Sequence, residues 1–317
     1  MLANIQLISN LYKIVRYVHY NQIEKQRNDV LQDCKISMKM DDDGVDKKEV
    51  RLYKMNVLSS HNSYLSNYQN FDFADLSSVE FLIKLGVRCL EFDVYYIGDR
   101  LVVGHGTKNL FNGYDFISTN VIKLEDIFKL IRDKAFKDFS DYPLIVNLEL
   151  LVNDNYDAYQ KIADKIKKYF YGYVLHSKFH NANINLGNCK MKHLRKKIIF
   201  ITQKKLLDNN PLAKYINGYT YNLDEIIKMG CDIDNKCIFN LSYREFLENR
   251  GKVEEHILKK GLVRVYPNGS FITNFSTNYN FLDVIKSGVQ ISAINIQQMG
   301  NSSKNYIKYF NSPFIVT

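Results

Sequence analysis

The sequence predicts an α/β fold of the (β/α)8 TIM-type barrel class, irregular at one hairpin, and three observations support this. Apolar, β-branched runs alternate with amphipathic helical segments from about residue 52 onward. Eight such runs occur, the number of strands in such a barrel. Several runs end in polar side chains, at the edge where barrel enzymes place their chemistry. The runs lie at 56–60, 88–95, 101–104, 144–151, 197–202, 238–242, 262–266 and 289–296.

Residues 1–50 are predicted to hold a helix and a polar linker that precede the barrel. Residues 5–19 place apolar side chains on one helical face and Lys13 on the opposite one. This apolar face is expected either to pack on the main domain or to lie on a membrane surface. Residues 34–50 are polar and charged, and their Asp41–Gly44 run lacks the spaced acidic positions and the closing Glu of an EF-hand.

Local signals within the barrel mark its first helix and the hairpin. Ser77 and Glu80 have capping-box spacing at the start of a helix that Gly86 is expected to end. The Ile97–Asp99 segment is typical of a turn, so the runs on either side of it are predicted to pair as a hairpin.

The segment 207–236 has the least regular pattern and is predicted to connect two halves of the barrel. Further helices are expected at 124–136 and 156–172.

The composition indicates a globular chain with an anionic partner. Hydrophobic residues make up 46% and charged residues 24% of the sequence, which excludes a disordered chain, and the net charge is +9. The densest basic cluster, 190–205, contains only one aromatic residue, Phe200, so a nucleic-acid partner is not expected. An acidic membrane surface or a phosphorylated substrate fits the charge better.

The sequence also predicts the compartment. No stretch reaches the roughly 18 apolar residues that a membrane-spanning helix needs, and polar residues interrupt the apolar ones at the N-terminus, unlike in a signal peptide. The 5 cysteines lack C-x-x-C spacing, so neither a disulfide framework nor a zinc site is expected. The chain is therefore expected to be a cytoplasmic monomer that associates with membranes only peripherally.

Three carboxylates are predicted to converge at the carboxyl ends of two strands. Glu91 and Asp93 are two residues apart between apolar neighbours, so both side chains point to the same side of one strand. Glu149 follows apolar residues on a later strand and points away from them in the same way. Converging carboxylates need a cation or a proton between them, and with the amide oxygen of Asn62 they form an all-oxygen set suited to Ca2+.

Two histidines complete the candidate site. His61 follows the first apolar run and His105 follows the second strand of the predicted hairpin. A hard cation can offset the charge of a phosphoryl group, and histidines can exchange protons near neutral pH. Two histidines with a cation are therefore a set able to split a phosphodiester.

The segments around these residues resemble the eukaryotic phosphoinositide-specific phospholipase C family. SSHNSYL resembles its first-histidine motif, GVRCLEFDVY its metal-ligand strand, and VVGHG its second-histidine strand. FNLSYREF and VRVYPNGSFITNFSTNY resemble strand regions of the second half of its catalytic barrel. The resemblance implies an X half at 51–206, a short connection at 207–236 and a Y half at 237–317.

By that resemblance the chain would bind Ca2+ and cleave the glycerol–phosphate ester of inositol phospholipids. The products would be diacylglycerol and inositol phosphate, by way of a cyclic phosphate. His61 would stabilise the pentacoordinate phosphorus, His105 would be the general acid, and Glu91 or Glu149 the general base. The implied Ca2+ ligands are Asn62, Glu91, Asp93 and Glu149. The implied contacts to the inositol ring or its phosphates are Lys204, Ser242, Arg264 and Tyr266.

The sequence departs from the family pattern where substrate and membrane are bound. Thr202 stands where the family has the first of two phosphate-binding lysines, which favours an inositol ring with few phosphates. LELLVN replaces the polar residues that usually follow the glutamate. Transient membrane contact is expected from an apolar rim formed by Phe71, Phe73, Leu110, Phe111 and Phe271.

Three other interpretations stay open. A glycerophosphodiester phosphodiesterase also carries a Glu-x-Asp strand followed by a histidine, but it would usually show His-Arg-Gly where His61-Asn62 stands. A catalytically inactive homologue would only bind phosphoinositides, which would not require two histidines. The carboxylates could instead belong to a buried ion-pair network with Arg88 or Arg264.

Overall fold

The computed structural model describes residues 2–34, 36–40, 46–67, 72–108, 113–175, 185–203, 205–229, 237–269 and 277–317. The chain divides into two compact units, Met1–Lys35 and Ile36–Thr317. The first unit is one helix, α1 (Leu2–Asp33), so the helix predicted at 5–19 is confirmed and continues further. Among the helices of the described residues, none combines the length and apolar character needed to cross a bilayer.

Strands and helices alternate along much of the second unit. The strands are β1 (Met55–Val57), β2 (Cys89–Ile97), β3 (Arg100–Val103), β4 (Gly106–Lys108), β5 (Tyr114–Phe116), β6 (Ile122–Lys123), β7 (Leu144–Leu151), β8 (Ile198–Gln203), β9 (Ile216–Tyr221), β10 (Cys237–Ser242), β11 (Leu262–Tyr266), β12 (Ile291–Ser292) and β13 (Phe314–Val316). The helices are α2 (Leu76–Leu85), α3 (Leu124–Lys134), α4 (Tyr156–Phe170), α5 (Met191–Leu194), α6 (Leu223–Met229), α7 (Tyr243–Glu248), α8 (Arg250–Leu258), α9 (Phe281–Lys286) and α10 (Asn301–Tyr309). Short 3-10 turns lie at Leu52–Lys54, Leu186–Asn188, Ala213–Tyr215 and Ile296–Gln298.

Within the described residues, eight parallel strands form the body of the sheet, in the order β1, β12, β11, β10, β9, β8, β7, β2. The first and last of these are joined by a parallel bridge between Ser59 and Cys89. Two backbone hydrogen bonds support it, from Ser60 N–H to Cys89 O and from Arg88 N–H to Leu58 O, each 2.9 Å. The predicted (β/α)8-type barrel is confirmed, and the join between β1 and β2 rests on this bridge.

One of the eight parallel strands was not predicted. The run at 101–104 pairs antiparallel with β2, which confirms the hairpin but removes this run from the parallel set. Its place is taken by β9, inside the segment 207–236 that the sequence pattern indicated as a connection. The polar residues that hid this strand are satisfied within the sheet, since Asn217 Oδ1 accepts from Phe200 N–H at 3.0 Å. Gly218 also leaves room for the neighbouring strand, because an added Cβ would lie 2.6 Å from the terminal methyl of Ile238, which would have to move.

The cap of α2 differs from the predicted capping box. The carboxylate of Asp75, in extended conformation, accepts from Ser77 N–H at 2.9 Å, and the helix begins at the residue between them. The prediction of Ser77 as the cap was wrong because an acidic side chain two residues earlier already occupies that position. Gly86 ends the helix with φ +93°, as predicted, in the left-handed region that favours glycine.

Two other local expectations differ from the structure. The described part of 34–50 packs into the second unit from Ile36 onward, and the buried Lys47 ammonium donates to Ser312 Oγ at 3.0 Å. This segment is therefore not a free linker. Cys237 is disulfide-bonded, a bond that the cysteine spacing did not predict.

Candidate active site

The candidate residues converge at the carboxyl-terminal ends of the parallel strands. His61 and Asn62 follow β1, and His105 lies between β3 and β4. Every described candidate except Ser242 lines one or both of two adjoining cavities. This arrangement follows from the barrel, because parallel strands present all their carboxyl ends at one face.

Strands β2 and β7 set the carboxylates side by side. They are parallel and in register, with Glu91 opposite Asn147 and Asp93 opposite Glu149. Opposed residues on parallel strands project to the same face, so each pair forms a polar rung on that face of the two strands. The sequence analysis did not single out Asn147, although its i, i+2 spacing from Glu149 was the available signal.

Glu91 is neutralised by a buried arginine. Arg264 forms an ion pair with Glu91 Oε1, and both side chains are 3% exposed. Asn147 Nδ2 donates to the same oxygen at 3.1 Å, and Asn62 N–H donates to Oε2 at 3.1 Å. Burial alone would raise the pKa of Glu91, but Arg264 and His61 outweigh it and lower that pKa. The buried ion pair considered for Arg264 is therefore present, with Glu91 as its partner.

Asp93 contacts a tyrosine that links it to the first loop. The hydroxyl of the buried Tyr64 donates to Asp93 Oδ2 at 2.9 Å and lies 3.3 Å from Asn62 Oδ1. His105 Nδ1 is 3.7 Å from the same Asp93 oxygen. The other oxygen, Asp93 Oδ1, is buried and accepts no hydrogen bond from the described residues. Asn62 has φ +47°, a left-handed conformation that Asn tolerates better than most residues.

The Asp93–Glu149 rung carries negative charge that Arg264 offsets only in part. Burial, followed by the charges of Asp93 and Glu91, raises the pKa of Glu149 to about 8. With the unbonded Asp93 oxygen and the Asn62 amide oxygen, these groups form an all-oxygen donor set of the kind that Ca2+ takes. The residues therefore fit Ca2+, although the described His, Cys, Asp and Glu side chains form no ready-made cluster of three ligands.

His61 is oriented by the loop that follows β12. Its Nδ1 lies 2.9 Å from Oδ1 of the fully buried Asn295, and an amide oxygen can only accept, so Nδ1 carries a proton. Asn295 N–H in turn donates to Asn278 Oδ1 at 2.7 Å. Burial lowers the pKa of His61, and Arg264 lowers it further against the opposing effect of Glu91. The imidazole is therefore neutral near pH 7, with Nε2 3.7 Å from Glu91 Oε2.

Hydrogen bonds to its backbone N–H and C=O fix the position of His105. Its N–H donates to Ser118 Oγ at 3.0 Å. Its carbonyl accepts from Ile117 N–H at 2.7 Å and from Ser118 N–H at 3.0 Å. These bonds fix the connection between β3 and β4 against the chain after β5, and they position His105 on the wall of the larger cavity.

The two cavities differ in character. The larger one, of about 500 Å³, contains His105 and Asp93 together with several apolar side chains. The smaller one, of about 270 Å³, contains Glu91 and Arg264 among amide and hydroxyl groups. Four side chains line both cavities: His61, Glu149, Gln203 and Tyr266.

Some predicted residues are placed elsewhere. Ser242 caps α7, since its hydroxyl donates to Glu245 Oε2 at 2.7 Å and accepts from Glu245 N–H at 3.3 Å, so its contact with substrate stays a prediction. Thr202 is fully buried and donates to Leu148 O at 2.6 Å. Phe73 is half-buried. The remaining predicted residues lie outside the described part of the chain: Lys204, Phe71, Leu110, Phe111 and Phe271.

Residues 51–205 match a family model described as phosphatidylinositol-specific phospholipase C, X domain. The chain is 26% identical over 203 residues to phosphoinositide phospholipase C 7 of Arabidopsis thaliana, covering 63% of this chain and 30% of that protein. It is 36% identical over 115 residues to 1-phosphatidylinositol 4,5-bisphosphate phosphodiesterase 1 of Saccharomyces cerevisiae, covering 35% of this chain and 11% of that protein. The chain thus spans less than a third of the length of these relatives.

Solved structures share the fold. PLC21 of S. officinalis superposes with a TM-score of 0.69 at 18% identity, over 85% of this chain and 37% of that chain. A calcium-dependent phosphoinositol-specific phospholipase C of Pseudomonas sp. gives 0.58 at 13% identity, over 86% of this chain and 97% of that chain. Sequence identities this low support a likeness of fold alone. The matches to the family model and to the curated relatives, in contrast, are matches of the amino-acid sequence. Residues 51–205 therefore carry a phosphatidylinositol-specific phospholipase C X domain, and the chain is similar in sequence to eukaryotic phosphoinositide-cleaving phosphodiesterases.

Proposed function

We propose that the chain is a Ca2+-dependent phosphoinositide phospholipase C that cleaves the glycerol–phosphate ester of an inositol phospholipid. The supporting observation is that His61 and His105 line one cavity together with the Asp93–Glu149 rung. In an inositol phospholipid the 2-hydroxyl of the ring adjoins the phosphate, attacks the phosphorus and expels diacylglycerol. The reaction needs a base for the hydroxyl, an acid for the leaving oxygen and positive charge beside the phosphoryl oxygens.

The smaller cavity suits the inositol ring. Arg264 donates to Asn240 Oδ1 at 2.6 Å, so the guanidinium and the amide together form one polar surface of this cavity. Asn147, Thr220 and Asn222 add groups able to bond ring hydroxyls. Tyr266 stands at the junction with the larger cavity, where its ring can cover the inositol.

The roles of the histidines follow from their partners. Ca2+ bound by Asn62, Glu91, Asp93 and Glu149 would lower the pKa of the ring hydroxyl and offset phosphoryl charge. An arriving phosphate would favour the protonated form of His61, whose Nε2–H would then donate to a phosphoryl oxygen while Nδ1–H stays on Asn295. His105, on the wall of the larger cavity, would protonate the glycerol oxygen as it leaves.

Glu149 is better placed than Glu91 to be the general base. The carboxylate of Glu91 is held by Arg264 and Asn147, whereas Glu149 has no such donors among the described residues. Exogenous formate should therefore restore part of the kcat of a Glu149→Ala variant and none of that of Glu91→Ala. Equal rescue of both variants would contradict this assignment.

The lining favours an inositol ring with few phosphates. Arg264 is the only cation among the described residues of the smaller cavity, and it is already paired with Glu91. The carboxylate of Glu225 also lies there, and Thr202 is buried instead of supplying charge. Phosphatidylinositol or its monophosphate should turn over faster than the bisphosphate in matched vesicles. Preference for the bisphosphate would contradict this.

The decisive assay is release of water-soluble inositol phosphate from labelled lipid vesicles, with Ca2+ and with chelator. We expect release that requires Ca2+ and is lost in His105→Ala. The matched control is His193→Ala, because His193 is an exposed histidine outside both cavities.

Each other outcome has a definite meaning. Release that persists in chelator would contradict the Ca2+ assignment. Folded protein that binds inositol lipid without cleaving it would be an inactive homologue. Cleavage confined to deacylated glycerophosphodiesters would identify a glycerophosphodiester phosphodiesterase instead.

A further inference from the structure

The side chains on the interior face of β2 and β7 change character at the mouth of the barrel. Beyond the Asp93–Glu149 rung, the next residues on that face are Tyr95 and Leu151, which are paired in the same register. Strand alternation places this pair on the same face as the carboxylates, so an apolar rung follows directly after a charged one. Leu151 is half-buried and lines the larger cavity.

Other apolar side chains continue this surface. Ile117 and Leu206 line the same cavity as His105 and Leu151, and Leu206 is only 6% exposed. Hydroxyl groups of an inositol ring would lose hydrogen bonds with water here without gaining partners. The apolar part of the larger cavity therefore suits a hydrocarbon ligand.

The apolar lining reaches the molecular surface between the loops that follow β7 and β8. A further cavity of about 400 Å³ shares Tyr159 and Leu206 with the larger one. It also contains Leu207 and Tyr156, which are 75% and 63% exposed. Both cavities share the carboxylate of Asp154, which accepts a hydrogen bond from Tyr159 OH at 2.9 Å. A path thus runs from Glu149 to solvent, lined by these apolar side chains together with the polar side chains of Asn153, Lys205, Asn209 and Asn210.

We propose that this path, the leaving-group groove lined by Leu151, Leu206, Leu207 and Tyr156, binds the glycerol backbone and first acyl methylenes of diacylglycerol. This inference rests on the proposed function. His105 would protonate the glycerol oxygen, so the glycerol must extend from the phosphorus on the side of His105. That side is the cavity with apolar lining, whereas the hydroxyl-rich ring matches the polar cavity. The acyl chains must also reach back to the membrane, and the groove opens at exposed apolar residues.

Chain-length dependence of turnover tests the groove directly. Inositol lipids with short acyl chains, kept monomeric below their aggregation concentration, present the leaving group without a membrane. For the wild type, kcat/KM should rise with each methylene that enters the groove, by up to about 4-fold. The increase per methylene should shrink in Leu151→Asn and in Leu207→Asn.

Leu258→Asn is the matched control. Leu258 is 81% exposed at the end of α8 and lies outside the groove, so this variant should keep the wild-type increase per methylene. Leu207 is equally a surface residue, so a loss of folding would not explain its effect, and thermal unfolding of each variant checks this.

Two results would overturn the proposal that the leaving-group groove binds diacylglycerol. One is a wild-type kcat/KM that does not change with chain length while glycerophosphoinositol and the lipids are all cleaved. The other is an equal increase per methylene in the wild type and both groove variants. If folded wild type cleaves no inositol compound at all, the proposed function fails and the groove fails with it.

Discussion

Asn295 lies outside the motifs found in the sequence, yet it orients His61, which lies inside one of them. Its side-chain oxygen, 2.9 Å from His61 Nδ1, fixes which nitrogen of the imidazole carries the proton. The His61 motif is readable from the sequence, but this partner lies 234 positions away and is brought near only by the closing strands. Tyr64 acts in the same way on Asp93 and Asn62.

We predict that Asn295→Ala lowers kcat by roughly 10- to 100-fold, by analogy with the loss typical when partners that orient metal-ligating histidines are removed. KM should change less, because Asn295 lines neither cavity that would bind substrate. Steady-state kinetics on inositol-lipid vesicles measures both constants. Asn295→Asp, which keeps an acceptor, should retain more activity than Asn295→Ala. Equal kcat in all three proteins would contradict an orienting role.

The candidate carboxylates were predictable because strand alternation is a local rule. Two residues on one strand point the same way wherever that strand lies, so Glu91 and Asp93 could be paired without knowing the fold. The ion pair between Glu91 and Arg264 could only be offered as one of two alternatives. Choosing between Arg88 and Arg264 required the register of β11 relative to the rest of the barrel, which no local pattern contains.

At the scale of elements, the apolar pattern located most strands but misassigned one. β3 has a continuous apolar pattern and pairs antiparallel at the edge of the parallel set. β9 has the sequence INGYTY and lies between β8 and β10. Its Asn217 and Thr220 are buried, and Asn217 is satisfied by a neighbouring strand, so burial did not require apolar residues there. Sequence periodicity detects strands whose buried residues are apolar. It misses strands whose buried residues are polar and hydrogen-bonded.

Helix α8 packs on the sheet through a histidine that sets a pH dependence of stability. The His256 ring stacks on Phe239 with centroids 3.8 Å apart, and its Nε2 lies 3.2 Å from Leu262 O. Burial, with a smaller contribution from Lys259, lowers the pKa of His256 to about 4. An exposed histidine in the unfolded chain titrates near 6.5. Between these values the unfolded chain binds a proton that the folded chain excludes, so stability falls as pH falls.

We predict that lowering the pH from 7 to 5 removes about 2 kcal/mol of the free energy of unfolding through His256. Denaturant titrations at the two pH values measure this loss. The loss should be smaller by that amount in His256→Gln, whatever the stability of that variant at pH 7. The exposed His193→Gln serves as control and should match the wild type. A His256→Gln variant with an undiminished pH-dependent loss would contradict the assignment.

At the scale of the whole molecule, the net charge of +9 favours anionic membranes. We predict that the protein sediments with vesicles containing phosphatidylserine and that raising salt from about 50 to about 500 mM weakens this binding strongly. Neutral phosphatidylcholine vesicles are the control and should bind it weakly at both salt concentrations. Binding that is equal on both lipids and insensitive to salt would show that charge does not bring the protein to membranes.

The family resemblance of the chain was predictable because its motifs are short and local. The barrel class followed from eight apolar runs, even though one run was misassigned, since the alternation of strands and helices tolerates one such error. The division into two cavities was not predictable. It depends on which side chains of different strands and loops meet at the mouth of the barrel, and these are separated by long stretches of sequence.

The central claim is that the histidines and the carboxylate rung cleave an inositol phospholipid through its own 2-hydroxyl, with Ca2+. Phosphorus-31 NMR of phosphatidylinositol during turnover tests this most directly, because it distinguishes the bonds that form and break at phosphorus. We predict that a five-membered cyclic phosphodiester of inositol appears first, only when Ca2+ is present. Formation of phosphatidic acid, or of a linear inositol monophosphate from the first turnover in the presence of chelator, would contradict the account.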